Sequence, residues 1–107
     1  MKIGKLKQKT RGIFIKNVNY QADIDNIVTL LSKYLIIYND IIMFNDKSNT
    51  FKGKIIIILN NEEAATDAIK KLNNLMFLNR KIKVTYANNK YVNNDIVNLF
   101  NKKLNLI

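Results

Sequence analysis

The residues with the most distinctive chemistry lie on two alternating segments. In Lys52-Gly53-Lys54-Ile55-Ile56-Ile57-Ile58-Leu59, an extended backbone puts Lys52, Lys54, Ile56 and Ile58 on one face and Ile55, Ile57 and Leu59 on the other. Ile13-Phe14-Ile15-Lys16-Asn17-Val18 alternates in the same way, with Phe14 and Lys16 opposite Ile13 and Ile15. Lysine and an aromatic ring therefore fall on what reads as one common face. Ammonium groups attract anions, and the chain as a whole reinforces them: 18 basic and 8 acidic residues give a formal charge of +10 over 107 residues. This balance points to a polyanionic partner, nucleic acid first and an acidic membrane surface second. Lysines that only keep the domain soluble are the plainer alternative.

Other chemistry is excluded by what the chain lacks. With no cysteine and no histidine, it has no disulfides, no Cys/His zinc site and no histidine base. Neither an enzyme, a metal nor a cofactor is expected. Asp23 and Asp25 read as helix-start residues rather than a catalytic pair, and Arg11-Gly12 alone does not make the phosphate-cradling loop of an acyl-phosphate hydrolase. The first ten residues are basic without an apolar run, and no stretch is long enough to cross a membrane. A soluble intracellular protein is the expectation, with no membrane or small-molecule partner.

Several elements must position the lysine-bearing face. Residues 1–11 read as a basic arm, with Lys2, Lys5, Lys7, Lys9 and Arg11 and no acid. A strand over 12–18 is followed by a turn through Asn19 and Tyr20, then by a helix over about 23–34, capped by Asp23 and striped with Ile24, Ile27, Leu30, Leu31 and Tyr34. Leu35 to Phe44 reads as a second strand, Ile41 and Met43 inward and Ile42 and Phe44 outward, ending in the turn cluster 45–49. The four consecutive isoleucines make a central strand, being stiff at χ1 and too few for a capped helix. Asn61 caps a second helix whose buried stripe is Ala65, Ala68, Ile69 and Leu72, ended by Asn73 and Asn74. Arg80 to Ala87 is the last strand, with Ile82 and Val84 inward and Lys81, Lys83 and Thr85 outward, and a further helix is expected over about 93–106.

The order strand, helix, strand, strand, helix, strand implies an α+β, ferredoxin-like two-layer sandwich over residues 12–88, followed by a C-terminal helical extension over 89–107. Both helices cover one side of a four-stranded antiparallel sheet and leave the other open. Ile56 and Ile58 are expected to be exposed there, which calls for a docked helix, a docked protein or an interface.

The motifs resemble the RNA recognition motif family. Ile13-Phe14-Ile15-Lys16-Asn17-Val18 matches the family's hexamer throughout: aliphatic, aromatic, aliphatic, variable, asparagine, aliphatic. Glu62-Glu63-Ala64 through Asn73, followed by Asn79-Arg80-Lys81-Ile82-Lys83-Val84, is similar to its second helix and last strand. The octamer begins correctly with Lys52-Gly53 and then departs, its usual aromatics falling on Lys54 and Ile56 and its small residue on Ile55. The resemblance implies single-stranded RNA as partner, with Phe14 stacking a base; Phe44 on the neighbouring strand is either an ordinarily packed residue or a substitute platform, and Lys16, Lys52, Lys54 and Lys83 can meet phosphates beside Ile56. Two missing platforms, at roughly 1 to 3 kcal/mol each, would weaken binding by roughly 2 to 6 kcal/mol.

A stand-alone motif with a short basic arm, one strong sheet aromatic and a C-terminal helix is also similar to family members that work in the spliceosome, clasped by a larger scaffold protein. That implies pre-mRNA splicing and a nuclear location. The alternative is a module of the same fold that docks a partner peptide within a ribonucleoprotein.

Overall fold

The isoleucine run forms the long strand that its residues favour. The computed structural model describes residues 8–88. They form β1 (Gly12–Lys16), α1 (Ile24–Lys33), β2 (Asp40–Asn45), β3 (Phe51–Ile58), α2 (Glu62–Leu72), β4 (Met76–Phe77), β5 (Arg80–Lys81) and β6 (Lys83–Tyr86). The main sheet has the order β2-β3-β1-β6 with every neighbour antiparallel. Thus the isoleucine strand lies beside the first strand, Phe14 opposite Ile56 and Ile15 opposite Ile55. No helix among the described residues is long and apolar enough to cross a membrane. The helix expected over 93–106 and the arm through residue 7 lie outside the described residues.

Side-chain alternation separates two apolar clusters. Ile13, Ile15, Ile55, Ile57, Leu59, Ile82 and Val84 pack with Ile27, Leu30 and Leu31 of α1 and Ala65, Ala68 and Leu72 of α2. Moving one residue along a strand crosses the sheet. Ile56, Ile58 and Ala87 form the second cluster with Phe14, Ile42 and Phe44. Ile56 and Ile58, expected to be exposed, are each only 1% exposed. Among the described residues Phe14, Ile42 and Phe44 pack against them, and strand alternation reports which face a side chain takes but not how far its neighbours cover it.

The helices begin where their caps place them. Asp23 Oδ1 accepts from the Asn26 backbone N–H at 2.9 Å while Asn26 Oδ1 accepts from the Asp23 N–H, a capping box closed by asparagine. Asn61 Oδ1 accepts from the Ala64 N–H at 2.8 Å. Of the expected α1 stripe, Ile24 turns out to be exposed.

Helix α1 closes in a Schellman motif. The Ile36 N–H donates to Leu31 O and the Leu35 N–H to Ser32 O, with Leu35 in the left-handed region at φ 58°. Ile36 and Leu31 are both buried, which supplies the apolar contact that accompanies this motif. That closure takes Leu35–Asn39 out of the expected second strand, which starts only at Asp40.

The last expected strand is also divided. Met76–Phe77 pairs with Arg80–Lys81 in a small hairpin whose two turn residues, Leu78 and Asn79, have φ 50° and 70°. Ile82 then turns inward, its N–H bonded to Leu75 O, before β6 joins the main sheet. At the other end, Thr10 and Arg11 belong to the fold rather than the arm. Buried Thr10 Oγ1 donates to Ala87 O at 2.8 Å, and Arg11 exchanges hydrogen bonds with Leu59.

Candidate nucleic-acid interface

The sheet face opposite α1 and α2 carries a cavity of about 360 Å³ lined by Phe14, Phe44, Asn45, Asp46, Lys52, Lys54 and Ile56. Pairing explains the grouping. Phe14 and Ile42 both face Ile56 across their strand pairs, so the half-buried rings of Phe14 and Phe44 are held by the buried Ile56 cluster. Ile56 is the floor of this site and offers almost no area of its own.

The lysines at the rim owe their positions to Gly53. Met43 pairs with Ile55, yet Asn45 pairs with Phe51, so the β2–β3 register slips around Lys52-Gly53-Lys54. Gly53 has φ 84°, and a Cβ there would stand 2.5 Å from Val18 O. Only glycine fits a left-handed position pressed against backbone. The slip leaves Lys52 and Lys54 exposed on either side of it, at the cavity edge.

Charges at the site are unequal in role. Lys16 Nζ lies 5.9 Å from the centroid of the Phe14 ring, a cation–π distance. Lys52 Nζ lies 3.7 Å from Asp46 Oδ2, with both side chains well exposed, so this pair adds little stability. Asp46 is chiefly a turn residue: its Oδ1 accepts from the Ser48 and Thr50 N–H groups at 2.8 and 3.1 Å. The Thr50 hydrogen bond foremost, then those of Ser48 and the Lys52 charge, hold its carboxyl below the usual 3.8.

Of the residues selected from sequence, Phe14, Phe44, Lys52, Lys54 and Ile56 come together at the cavity, and Lys16 stands beside the Phe14 ring. Lys83 pairs across from Lys16 in β6, but its Nζ is bonded to Asn74 Oδ1 at the sheet's edge. Asn45 and Asp46 were legible in the sequence only as turn residues. The signal that could have placed them at the site is their position directly after Phe44.

A two-layer sandwich with one basic, aromatic-bearing sheet face defines the class of small nucleic-acid-binding α+β domains. The model of the RNA recognition motif matches residues 13–83, and the chain belongs to that family, one of RNA-binding, non-enzymatic domains. Among solved structures, the RRM of RNA15 superposes with a TM-score of 0.69 at 22% identity, covering 84% of this chain and 99% of that one. The same domain with bound RNA (GU) gives 0.68 at 19% identity, covering 86% and 98%. The Sex-lethal protein–RNA complex gives 0.64 at 22% identity, covering 72% of this chain and 47% of that one. No curated protein sequence matches significantly.

Proposed function

We propose that this protein binds single-stranded RNA on the sheet face opposite α1 and α2, within pre-mRNA processing in the nucleus. The observation that carries the reading is the cavity in which the Phe14 and Phe44 rings meet Lys52 and Lys54 over Ile56. A base stacks on Phe14, with Phe44 replacing one ring absent from the octamer, and the lysines attract phosphates. Structural relatives that include RNA complexes support the reading. Lysine contributes binding that carries little sequence information, so affinity depends steeply on salt.

The test is a titration of a fluorescent single-stranded RNA at two salt concentrations. Phe14→Ala is expected to weaken binding by about 1 to 3 kcal/mol without altering the salt slope. Equal binding by wild type and Phe14→Ala would remove Phe14 as a stacking platform.

A second reading, a module docking a larger scaffold protein of a ribonucleoprotein, is favoured by one observation. Leu35 and Ile37 are 83% and 78% exposed on either side of the anchored Ile36. Aliphatic side chains that open to water suit an apolar partner surface. Leu35→Ser with Ile37→Ser should abolish a scaffold's capture without changing RNA affinity, and capture that survives the double change would dismiss this surface.

A further inference from the structure

The cavity does not hold every ring that faces solvent near its lysines. Tyr20, in the loop between β1 and α1, is 57% exposed, the one aromatic among the largely exposed apolar residues described. Lys52 Nζ lies 5.2 Å from its ring centroid. The same ammonium lies 3.7 Å from Asp46 at the cavity rim. Lys52 therefore spans the gap between the sheet cavity and the Tyr20 ring.

The loop holding Tyr20 is fixed on both sides. Asn19 donates from Nδ2 to Leu78 O at 3.0 Å, and its Oδ1 accepts from the Gln21 N–H at 2.9 Å. The Ala22 N–H closes the turn onto Asn19 O. The ring lies close to Gly53, where an added Cβ would stand 3.2 Å from Cε1. Two residues before the turn, Asn17 takes a left-handed conformation and anchors Arg80, whose Nε and Nη2 donate to Asn17 O and Oδ1. Arg80 is exposed, and its guanidinium keeps further N–H groups beyond those two bonds.

From these observations we infer a second nucleotide subsite off the sheet, with Tyr20 as the base platform and Lys52 and Arg80 as the phosphate contacts. The inference rests on the RNA reading of the sheet face and extends it. A strand with one base on Phe14 and a phosphate at Lys52 carries its neighbouring nucleotide toward Tyr20. An exposed, loop-locked ring with a cation at its face suits any base, because every base has a π-face. The subsite therefore adds length dependence rather than sequence preference.

The experiment compares a dinucleotide with a hexanucleotide of single-stranded RNA, titrated against wild type, Phe14→Ala, Tyr20→Ala and Tyr20→Phe, each first shown to melt like wild type. Tyr20→Ala is expected to weaken hexanucleotide binding about 10-fold, within the range for one stacked base, and to change dinucleotide binding far less. Tyr20→Phe should bind the hexanucleotide within about twofold of wild type, since stacking needs the ring and not the hydroxyl. Tyrosine emission supplies an independent readout in a chain with no tryptophan: RNA should quench it in wild type and less in Tyr20→Phe. Equal hexanucleotide binding by wild type and Tyr20→Ala, with Phe14→Ala still weakened, overturns the subsite and leaves the sheet reading standing. A wild type that binds neither RNA overturns both.

Discussion

Lys54 stands where the octamer usually carries an aromatic, and returning a ring there tests how the face binds. Lys54 is exposed on β3 and lines the cavity with Phe14 and Phe44. Lys54→Tyr keeps a strand-favouring residue, so the fold is expected to survive. A new stacking platform contributes roughly 1 to 3 kcal/mol. Losing one phosphate contact costs about 0.6 of a decade in affinity, or about 0.8 kcal/mol, at about 0.15 M salt relative to 1 M. The variant should thus bind a short single-stranded RNA more tightly at about 0.15 M salt, by about 1 kcal/mol or roughly fivefold. Near 0.01 M salt the lost lysine costs about 1.9 kcal/mol and cancels the gain. Fluorescence anisotropy across that salt range reads both effects, with the slope of log affinity shallower by about 0.7 for the variant. A variant that binds more weakly at every salt concentration would refute the idea that bases stack on this face.

Two further predictions concern stability. Leu35→Gly should raise it by about 0.5 to 1 kcal/mol, because left-handed backbone costs a non-glycine residue more than glycine's added freedom returns; Leu35 is exposed at φ 58°. Thermal melting should show a rise of a few degrees, and a fall would mean that this side chain packs against something. For Asp46, a folded-state pKa below the ordinary value means stability that is present above about pH 4 and lost as pH falls through the depressed value. Urea midpoints at about pH 2.5 and pH 6 should therefore differ less in Asp46→Ala than in wild type; an unchanged difference would remove Asp46 as a contributor to acid sensitivity.

Periodicity and caps made much of the fold legible. The parity of Ile55 to Leu59 assigns the core face correctly, and Asp23 and Asn61 mark both helix starts. What sequence alone could not give was decided by competition with tertiary closure. Leu35 to Tyr38 favours strand locally, yet burial of Ile36 against Leu31 closes the helix in a left-handed turn and delays β2. The β4–β5 hairpin was hidden because its first turn residue is Leu78, a poor sequence signal for positive φ. The places of Phe14, Lys16 and Phe44 on one sheet face were legible because strand parity fixes which face a side chain takes, whereas those of Lys52 and Lys54 also depend on the slip at Gly53. Tyr20 in the β1–α1 loop, Asn45 at the end of β2 and Asp46 in the turn after it were not, since their approach to this face depends on the slip at Gly53.

Gly53 also explains why fold and site are hard to alter independently. Its missing side chain lets β3 lie against Val18 O and the Tyr20 ring, while its left-handed backbone accompanies the slip that leaves Lys52 and Lys54 outward. Any side chain at this position would push apart the β1–α1 loop and the start of β3, the two segments that carry Tyr20 and Lys52. Among the described residues, the rings that line the cavity on this face are Phe14 and Phe44, with aliphatic Ile56 beneath them. On the RNA reading, affinity then leans on cations arranged around one glycine rather than on a row of rings. Such a face binds with a steep salt dependence and modest discrimination between bases.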